Sequence, residues 1–171
     1  MALGKVSVNN LNLGQGAVTE VERYFLFIGP GAKSQGDLIA LNTESDLDAL
    51  LGSGASDLKT QITAARLNGG DRWACLAAPL ADQGTWQMAL TKAQQQNFSV
   101  EAVVITTPVT ESGQLEAMNA AAVMIGNTYG RRVFVLAAVP GIEADSQTWA
   151  QYLVNSKAIV EGLAAPRVLA V

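Results

Sequence analysis

The chain has 171 residues, of which 49% are apolar and 15% charged, and it contains no histidine. This length and apolar content predict a single domain with its own core and exclude an intrinsically disordered protein. The formal net charge of −4, without a basic cluster, argues against nucleic-acid binding, and no apolar run approaches the roughly 20 residues that membrane insertion requires. The single cysteine, Cys75, lies in an apolar run and is predicted to be a buried residue of an intracellular protein.

From residue 21 onwards, short apolar runs alternate with amphipathic segments, which is typical of a sheet covered by helices. Residues 24–28 predict a buried strand that ends in the turn Gly29-Pro30-Gly31, and residues 38–41 are a weaker strand candidate. Later apolar runs predict four further strands, at residues 73–78, 100–106, 133–139 and 168–171.

Amphipathic stretches between these runs predict five helices. Thr43 or Ser45 is expected to cap a short helix through Leu51, and Ser56 is expected to cap a longer helix that ends at Gly69-Gly70. Helical spacing predicts inward-facing residues at Leu58, Ile62 and Ala65, at Trp86, Leu90 and Ala93, and at Leu115, Met118, Ala122, Ile125 and Tyr129.

The fifth helix is predicted to begin near Asp145. Its inward stripe is expected to consist of Trp149, Tyr152, Leu153, Ile159, Val160 and Leu163.

This alternation predicts an α/β fold, a three-layer sandwich with a mainly parallel sheet, over residues 21–171. Residues 1–20 differ, because polar residues alternate with Val6 and Val8, and glycine and asparagine interrupt the run. They are predicted to form an extended N-terminal arm that has too little apolar surface for a core. Because residues 168–171 end the chain within an apolar strand, we expect the domain to be truncated at its C-terminus.

The segment Gly29-Pro30-Gly31-Ala32-Lys33-Ser34 follows a buried strand and ends in Lys-Ser, as a phosphate-binding loop does. That motif requires glycine directly before the lysine and again five positions earlier, where this chain has Ala32 and Phe27. Pro30 also removes an amide that would face phosphate. The segment is therefore interpreted as a structural turn, and no nucleotide cofactor is predicted.

Acidic residues follow three strands that end near proline, namely Asp82, Glu111, Glu143 and Asp145. Carboxylates that meet at one edge of a parallel sheet are suited to holding Mg²⁺, but acids before or within the first turn of a helix also stabilise that helix. The second interpretation is preferred, and no metal site is predicted. A small α/β enzyme or ligand-binding domain that uses these loops remains the alternative hypothesis.

Other catalytic chemistry lacks the required residues. Without histidine there is no imidazole base for a serine or cysteine nucleophile, and one cysteine cannot form a zinc site. Arg131-Arg132 is interpreted as an exposed pair at the amino edge of the sheet, suited to acids on another subunit. Trp73, Trp86 and Trp149 are interpreted as packing residues. No catalytic residue is therefore assigned.

Three features in a fixed order carry a resemblance to a known family. An apolar strand ends in Ile-Gly at residues 25–29, a short segment then leads into a Ser-x-x-Asp helix that ends in glycine at residues 38–52, and a helix that closes in Asn-Gly-Gly runs into a strand at residues 64–76. In this order the chain resembles the sheath protein of contractile bacteriophage tails, in the version found in Mu-like and related prophages.

The resemblance implies a structural subunit and no enzyme. Such subunits polymerise as stacked rings around the tail tube, and contraction of the sheath drives the tube through the bacterial envelope. The implied partners are other copies of the chain and the tail tube protein, and the implied location is the virion tail, after assembly in the host bacterial cytoplasm. Family members join their subunits by extended arms, which here corresponds to the apolar arm residues Leu3, Val6, Val8, Leu11 and Leu13.

Overall fold

The computed structural model describes residues 24–71, 73–81, 84–143 and 145–171. The predicted arm, with Leu3, Val6, Val8, Leu11 and Leu13, lies outside the described residues. Six strands form one sheet, and their bounds are β1 (Tyr24–Pro30), β2 (Ile39–Asn42), β3 (Ala74–Leu80), β4 (Val100–Ile105), β5 (Phe134–Ala137) and β6 (Val168–Ala170).

The strand order across the sheet is β2-β3-β1-β4-β5-β6. Only β2 is antiparallel to its neighbour, and the other pairs are parallel. The chain first moves from β1 to β3 on one side, and then returns to β4 on the other side and continues outwards to β6. This reversal is the doubly wound arrangement, which confirms the predicted α/β fold with a mainly parallel sheet.

Five helices connect the strands: α1 (Leu47–Leu51), α2 (Asp57–Gly69), α3 (Trp86–Gln95), α4 (Ser112–Tyr129) and α5 (Trp149–Val160). The expected cap of α1 at Thr43 or Ser45 is wrong. Asp46 caps this helix, because one of its carboxylate oxygens accepts the backbone N–H groups of Asp48 and Ala49, both at 3.0 Å. None of the described helices is long and apolar enough to cross a bilayer.

The prediction that Ser56 begins α2 is confirmed, since its hydroxyl oxygen accepts the backbone N–H of Lys59 at 3.2 Å. The start of α5 near Asp145 was wrong. This helix begins at Trp149, because Thr148 and Gln151 form a reciprocal capping box at its N-terminus. The boundary was missed because Asp145 also has the chemistry of a cap.

Right-handed crossovers divide the helices between the two faces of the sheet. On one face, α1 and α2 pack over a first core that includes Phe27, Leu41, Leu58, Ile62 and Cys75. On the opposite face, α3, α4 and α5 contribute to a larger core made of Leu26, Ile28, Val103, Ile105, Val135, Leu90, Leu115, Met118, Ile125 and Ile159. The predicted inward stripes of α2, α3 and α4 are confirmed by this burial, except that Tyr129 is exposed.

Candidate assembly surfaces

The loop that resembles a phosphate-binding loop is fixed by contacts with α1. The Lys33 ammonium donates a hydrogen bond to the Ala49 carbonyl, and the Ser34 hydroxyl donates to the Leu50 carbonyl at 3.1 Å. Both carbonyls belong to the C-terminal part of α1, where a helix favours positive charge. A turn rather than a helix follows Lys33. The two residues that a phosphate would need are thus engaged in holding the loop.

The acidic residues of the predicted carboxyl edge do not converge as a group. Glu111 and Glu143 both line a cavity of about 1070 Å³ beside α5. Glu143 accepts a hydrogen bond from the Ser146 hydroxyl at 2.8 Å, and Asp145 is exposed. Asp82 lies outside the described residues, and among those described no three histidine, cysteine or acidic side chains are close enough to hold a metal.

The helix-capping interpretation of these acids needs correction. Glu111 occupies the position before α4, but its side chain makes no capping hydrogen bond there. Glu143 and Asp145 precede the start of α5 at Trp149, so neither lies in its first turn. Thr148 caps α5 instead.

Cys75 is fully buried, as predicted, and belongs to the first core. Burial raises the pKa of its thiol from the ordinary value of 9.0 to about 12. A thiol with such a pKa is protonated at neutral pH and is a poor nucleophile. Cys75 is therefore a packing residue.

The interpretation of Arg131-Arg132 as an exposed pair is wrong for Arg131. Its guanidinium is partly buried and donates to the Gln94 side-chain oxygen at 3.2 Å and to the Phe98 carbonyl at 2.8 Å. Gln94 is itself buried at the end of α3. Arg131 thus joins α3 to the start of β5, and only Arg132 remains exposed.

The outer side of α5 carries exposed apolar residues. Trp149, Leu153 and Val160 recur at helical spacing and form what we call the α5 stripe. Trp149 is 66% exposed and Leu153 61% exposed, and Val160 is also exposed. The prediction that these three residues face the core, including the assignment of Trp149 as a packing residue, is therefore wrong. Of the helix residues predicted to face inward, only Ile159 is fully buried, and Tyr152 is half-buried.

A second exposed apolar surface lies on the sheet itself. Side chains alternate between the two faces of each strand, so Val135 points into the larger core while Phe134 and Leu136 point away from it. Phe134 is 58% exposed and Leu169 is 60% exposed. We call this surface the open face: Phe25, Phe134 and Leu169 are exposed and Leu136 is half-buried, whereas Val104 beside them packs against the first core.

Strand register brings the residues of the open face together. Phe25 pairs with Ala102, which pairs with Phe134. One step further along, Val104 pairs with Leu136, which pairs with Leu169. In-register residues of parallel neighbours point to the same side, so these side chains lie on one side of the sheet, which is also the side of the first core.

Neither surface was identified from the sequence. Strand β5 contributes Phe134 and Leu136 from a run that is apolar at every position, and such a run predicts burial on both faces. The stripe of α5 was found by its periodicity, but periodicity does not show whether an apolar stripe faces the core or a partner. One signal was available in the sequence. Helix α5 has more apolar residues than a single buried side of a helix can hold.

Comparisons with known proteins show the family of the chain. Residues 3–171 match the family described as DUF2586, N-terminal domain, and the chain belongs to this family. It is also 32% identical over 167 residues to a protein of Haemophilus phage HP1 (strain HP1c1) named "Putative tail sheath protein". That relative confirms the resemblance to phage tail sheath proteins. The match covers 95% of this chain and 44% of the relative.

Proposed function

We propose that this chain is the amino-terminal domain of a structural subunit of a contractile phage tail sheath. The subunit polymerises in rings around the tail tube, and contraction of the sheath drives the tube through the bacterial envelope. Its partners are other copies of itself and the tail tube protein, it assembles in the bacterial cytoplasm, and its role is structural rather than enzymatic. Family membership and the relative named as a tail sheath protein support this proposal.

The observation that carries the proposal beyond similarity is the apolar surface exposed on two sides of the domain. The α5 stripe lies on the helix outside the larger core, while the open face lies on the other side of the sheet from that core. Contiguous apolar patches of this kind mark interaction sites in soluble proteins. These patches are therefore the surfaces through which the domain is proposed to contact the rest of the tail sheath.

The arm has a part in the same proposal. Residues 1–20 are proposed to join neighbouring subunits, with Leu3, Val6, Val8, Leu11 and Leu13 as the contacting side chains. The described sheet ends in two edge strands, β2 and β6. An edge strand offers unpaired backbone N–H and C=O groups, and an extended segment gains hydrogen bonds by adding to it. The two edges therefore provide acceptor positions for an arm.

Immunogold electron microscopy tests the function directly. Antibodies raised against this chain are applied to the particles that cells carrying its gene release, and an antibody against the capsid serves as control. We expect gold along the whole tail shaft, and bare tail tubes when the reading frame is interrupted. Gold confined to the capsid or the tail tip, or tails that keep their sheath after the interruption, would contradict the proposal.

A further inference from the structure

Strand β1 is the element of the described sheet that lies next to the N-terminal arm along the chain. It lies between β3 and β4 in the strand order and is parallel to both. The strand pairs with β3 over residues 25–30 and with β4 over residues 24–28. Both sides of β1 are therefore hydrogen-bonded within the described sheet, so the strand has no free edge from which it can be peeled away.

Both faces of β1 are buried as well. Leu26 and Ile28 are completely buried in the larger core, and Phe27 is buried in the first core on the other face. A displacement of β1 along its own axis would break two hydrogen-bonded ladders and would withdraw these side chains from both cores at once. Withdrawal of packed apolar side chains is unfavourable, so the cores oppose this displacement together with the ladders.

The loop that follows β1 opposes the same displacement at the far end of the strand. We call residues 31–37 the clamp loop. Two of its side chains donate to carbonyls of α1, and the Gly36 backbone N–H donates to the Pro79 carbonyl at 2.8 Å. From α3, the Lys92 ammonium donates to the Gly36 carbonyl at 2.6 Å. The clamp loop is thus tied to helices on both faces of the sheet, and β1 cannot move towards the arm without breaking these bonds.

Strand β6, on the outer side of β5, is held by fewer contacts. It has three residues and pairs with β5 as its one neighbour among the described strands. Val171 after it adds backbone hydrogen bonds to Ala137 and Val139. Helix α5, which precedes β6, has Ile159 as its one buried residue. One ladder and a small buried area therefore resist tension at this end of the chain.

We infer that β1 is the anchor through which tension on the N-terminal arm passes into the domain. This inference rests on the proposed function, in which the arm joins neighbouring subunits. An arm attached to a strand with one neighbour would detach at the force that breaks one ladder. An arm attached to β1 detaches only when two ladders and both cores yield together, so subunits stay connected under loads that would remove an outer strand.

The orientation of the strands allows the two ends to be compared in one molecule. Strands β1, β4, β5 and β6 run in the same direction, so β1 begins at the amino edge of the sheet and β6 ends at the carboxyl edge. Pulling the chain ends apart therefore loads β1 and β6 along their axes in opposite directions. Optical tweezers with a handle at each end of the 171-residue chain apply this load, and the arm transmits it to β1.

The C-terminal end should yield first. Loss of β6 releases residues 138–171, which extend to about 3.3–3.6 Å each, so this step should lengthen the chain by about 110 Å. The remaining sheet, with β1 at its centre, should unfold only at a higher force. Forced unfolding depends on the unfolding rate, so the force reports how firmly the loaded strand is held rather than the equilibrium stability of the chain.

Two disulfide staples identify the strand that yields. Leu136 and Leu169 are in register, so Leu136→Cys with Leu169→Cys joins β6 to β5 and forms the β6 staple. Phe25 is in register with the native Cys75, so Phe25→Cys alone joins β1 to β3 and forms the β1 staple. Neighbouring strands are about 4.8 Å apart, which is within the Cα separation that a disulfide spans. The reduced form of each variant is its matched control, and thermal melts check that both forms are folded.

The expected results are specific to an anchor at β1. The oxidised β6 staple should abolish the step of about 110 Å and raise the force at which the domain begins to unfold. The oxidised β1 staple should leave both the step and its force unchanged. A first step that the β1 staple abolishes, a step of this length that the β6 staple leaves in place, or equal unfolding forces in all forms would overturn the inference. Because these measurements use the isolated chain, their failure is separable from a failure to find the protein in tails.

Discussion

Replacement of Gly29 by alanine tests how β1 and β4 approach each other at their carboxyl ends. A Cβ atom added to Gly29 would lie 1.8 Å from the Thr106 hydroxyl oxygen and 3.1 Å from the Thr106 Cβ. Thr106 is only 2% exposed, and its backbone N–H donates to the Ile28 carbonyl at 2.9 Å. Thr106 therefore has little room to move away from an added Cβ, because its backbone is hydrogen-bonded to Ile28 and its side chain is buried.

The expected cost follows from opposing contributions. Inserting a methyl group into a packed core costs about 1–3 kcal/mol, and a contact this close belongs at the upper end of that range. Alanine also lowers the conformational entropy of the unfolded chain, which raises the free energy of unfolding by about 0.4–1 kcal/mol. The net loss in the free energy of unfolding for Gly29→Ala should be about 2 kcal/mol, which for a chain of this size lowers Tm by about 4–8 °C.

A double-mutant cycle of Gly29→Ala and Thr106→Ala, measured by urea unfolding, tests whether the clash with Thr106 causes this loss. The Thr106 hydroxyl oxygen has no hydrogen-bond partner among the described residues, so Thr106→Ala removes the clashing atom without breaking a hydrogen bond. Gly29→Ala should cost less than about 0.5 kcal/mol in that background, which gives a coupling energy near 2 kcal/mol.

A glycine in α4 supplies the matched control for this cycle. A Cβ added to Gly113 meets nothing within 4 Å, so Gly113→Ala should stabilise the chain by about 0.5–1 kcal/mol. A Gly29→Ala variant within about 0.5 kcal/mol of the unmodified chain, or one that Thr106→Ala does not rescue, would refute the steric explanation.

Four further results are expected. Arg131→Ala should lower the free energy of unfolding by about 1–3 kcal/mol, because it leaves a buried side-chain oxygen unpaired, whereas Arg132→Ala should stay within about 0.5 kcal/mol in the same urea titrations. The raised pKa of Cys75 predicts that its thiol resists Ellman's reagent in the folded chain. Above pH 9.0 only the unfolded chain ionises this thiol, so the free energy of unfolding should fall between pH 9.0 and about pH 12, and Cys75→Ala should remove this contribution to the pH dependence. Neither ATP nor Mg²⁺ should raise Tm, and a reproducible rise with either would revive the hypothesis of an enzyme or ligand-binding domain. Deleting residues 1–20 should change Tm by a few degrees at most and should abolish polymerisation of the full-length protein. Hydrogen exchange in the arm should be fast in the monomer and slow in the polymer, and unfolding of the domain on deletion would show that the arm belongs to the domain's own sheet.

Several elements were predictable because their signals are local. Ser56 marks the start of α2, and the spacing of Leu115, Met118, Ala122 and Ile125 identifies the buried side of α4. Caps and periodicity depend on residues a few positions apart, so they appear in the sequence itself. The loop at Lys33 was likewise recognised as a structural turn from its missing glycines, although its contacts with α1 were not foreseen.

Other features depend on residues that are distant along the chain. The sequence did not show that Arg131 reaches the end of α3, or that Thr106 occupies the space beside Gly29. The same limit explains the errors at α5, where Asp145 and Thr148 are both competent caps and only the folded backbone selects one. Contacts of this kind follow from the strand order, which local patterns do not encode.

The sequence by itself determined the succession of strands and helices, the α/β class and the resemblance to tail sheath proteins, since each of these rests on short-range patterns of apolar, capping and turn residues. The tertiary structure alone decided which apolar residues remain exposed. Three successive crossovers, through α3, α4 and α5, step in one direction and therefore lie on the same face of the sheet. None of the described helices therefore covers Phe134 and Leu169, although their sequence pattern is that of a buried strand.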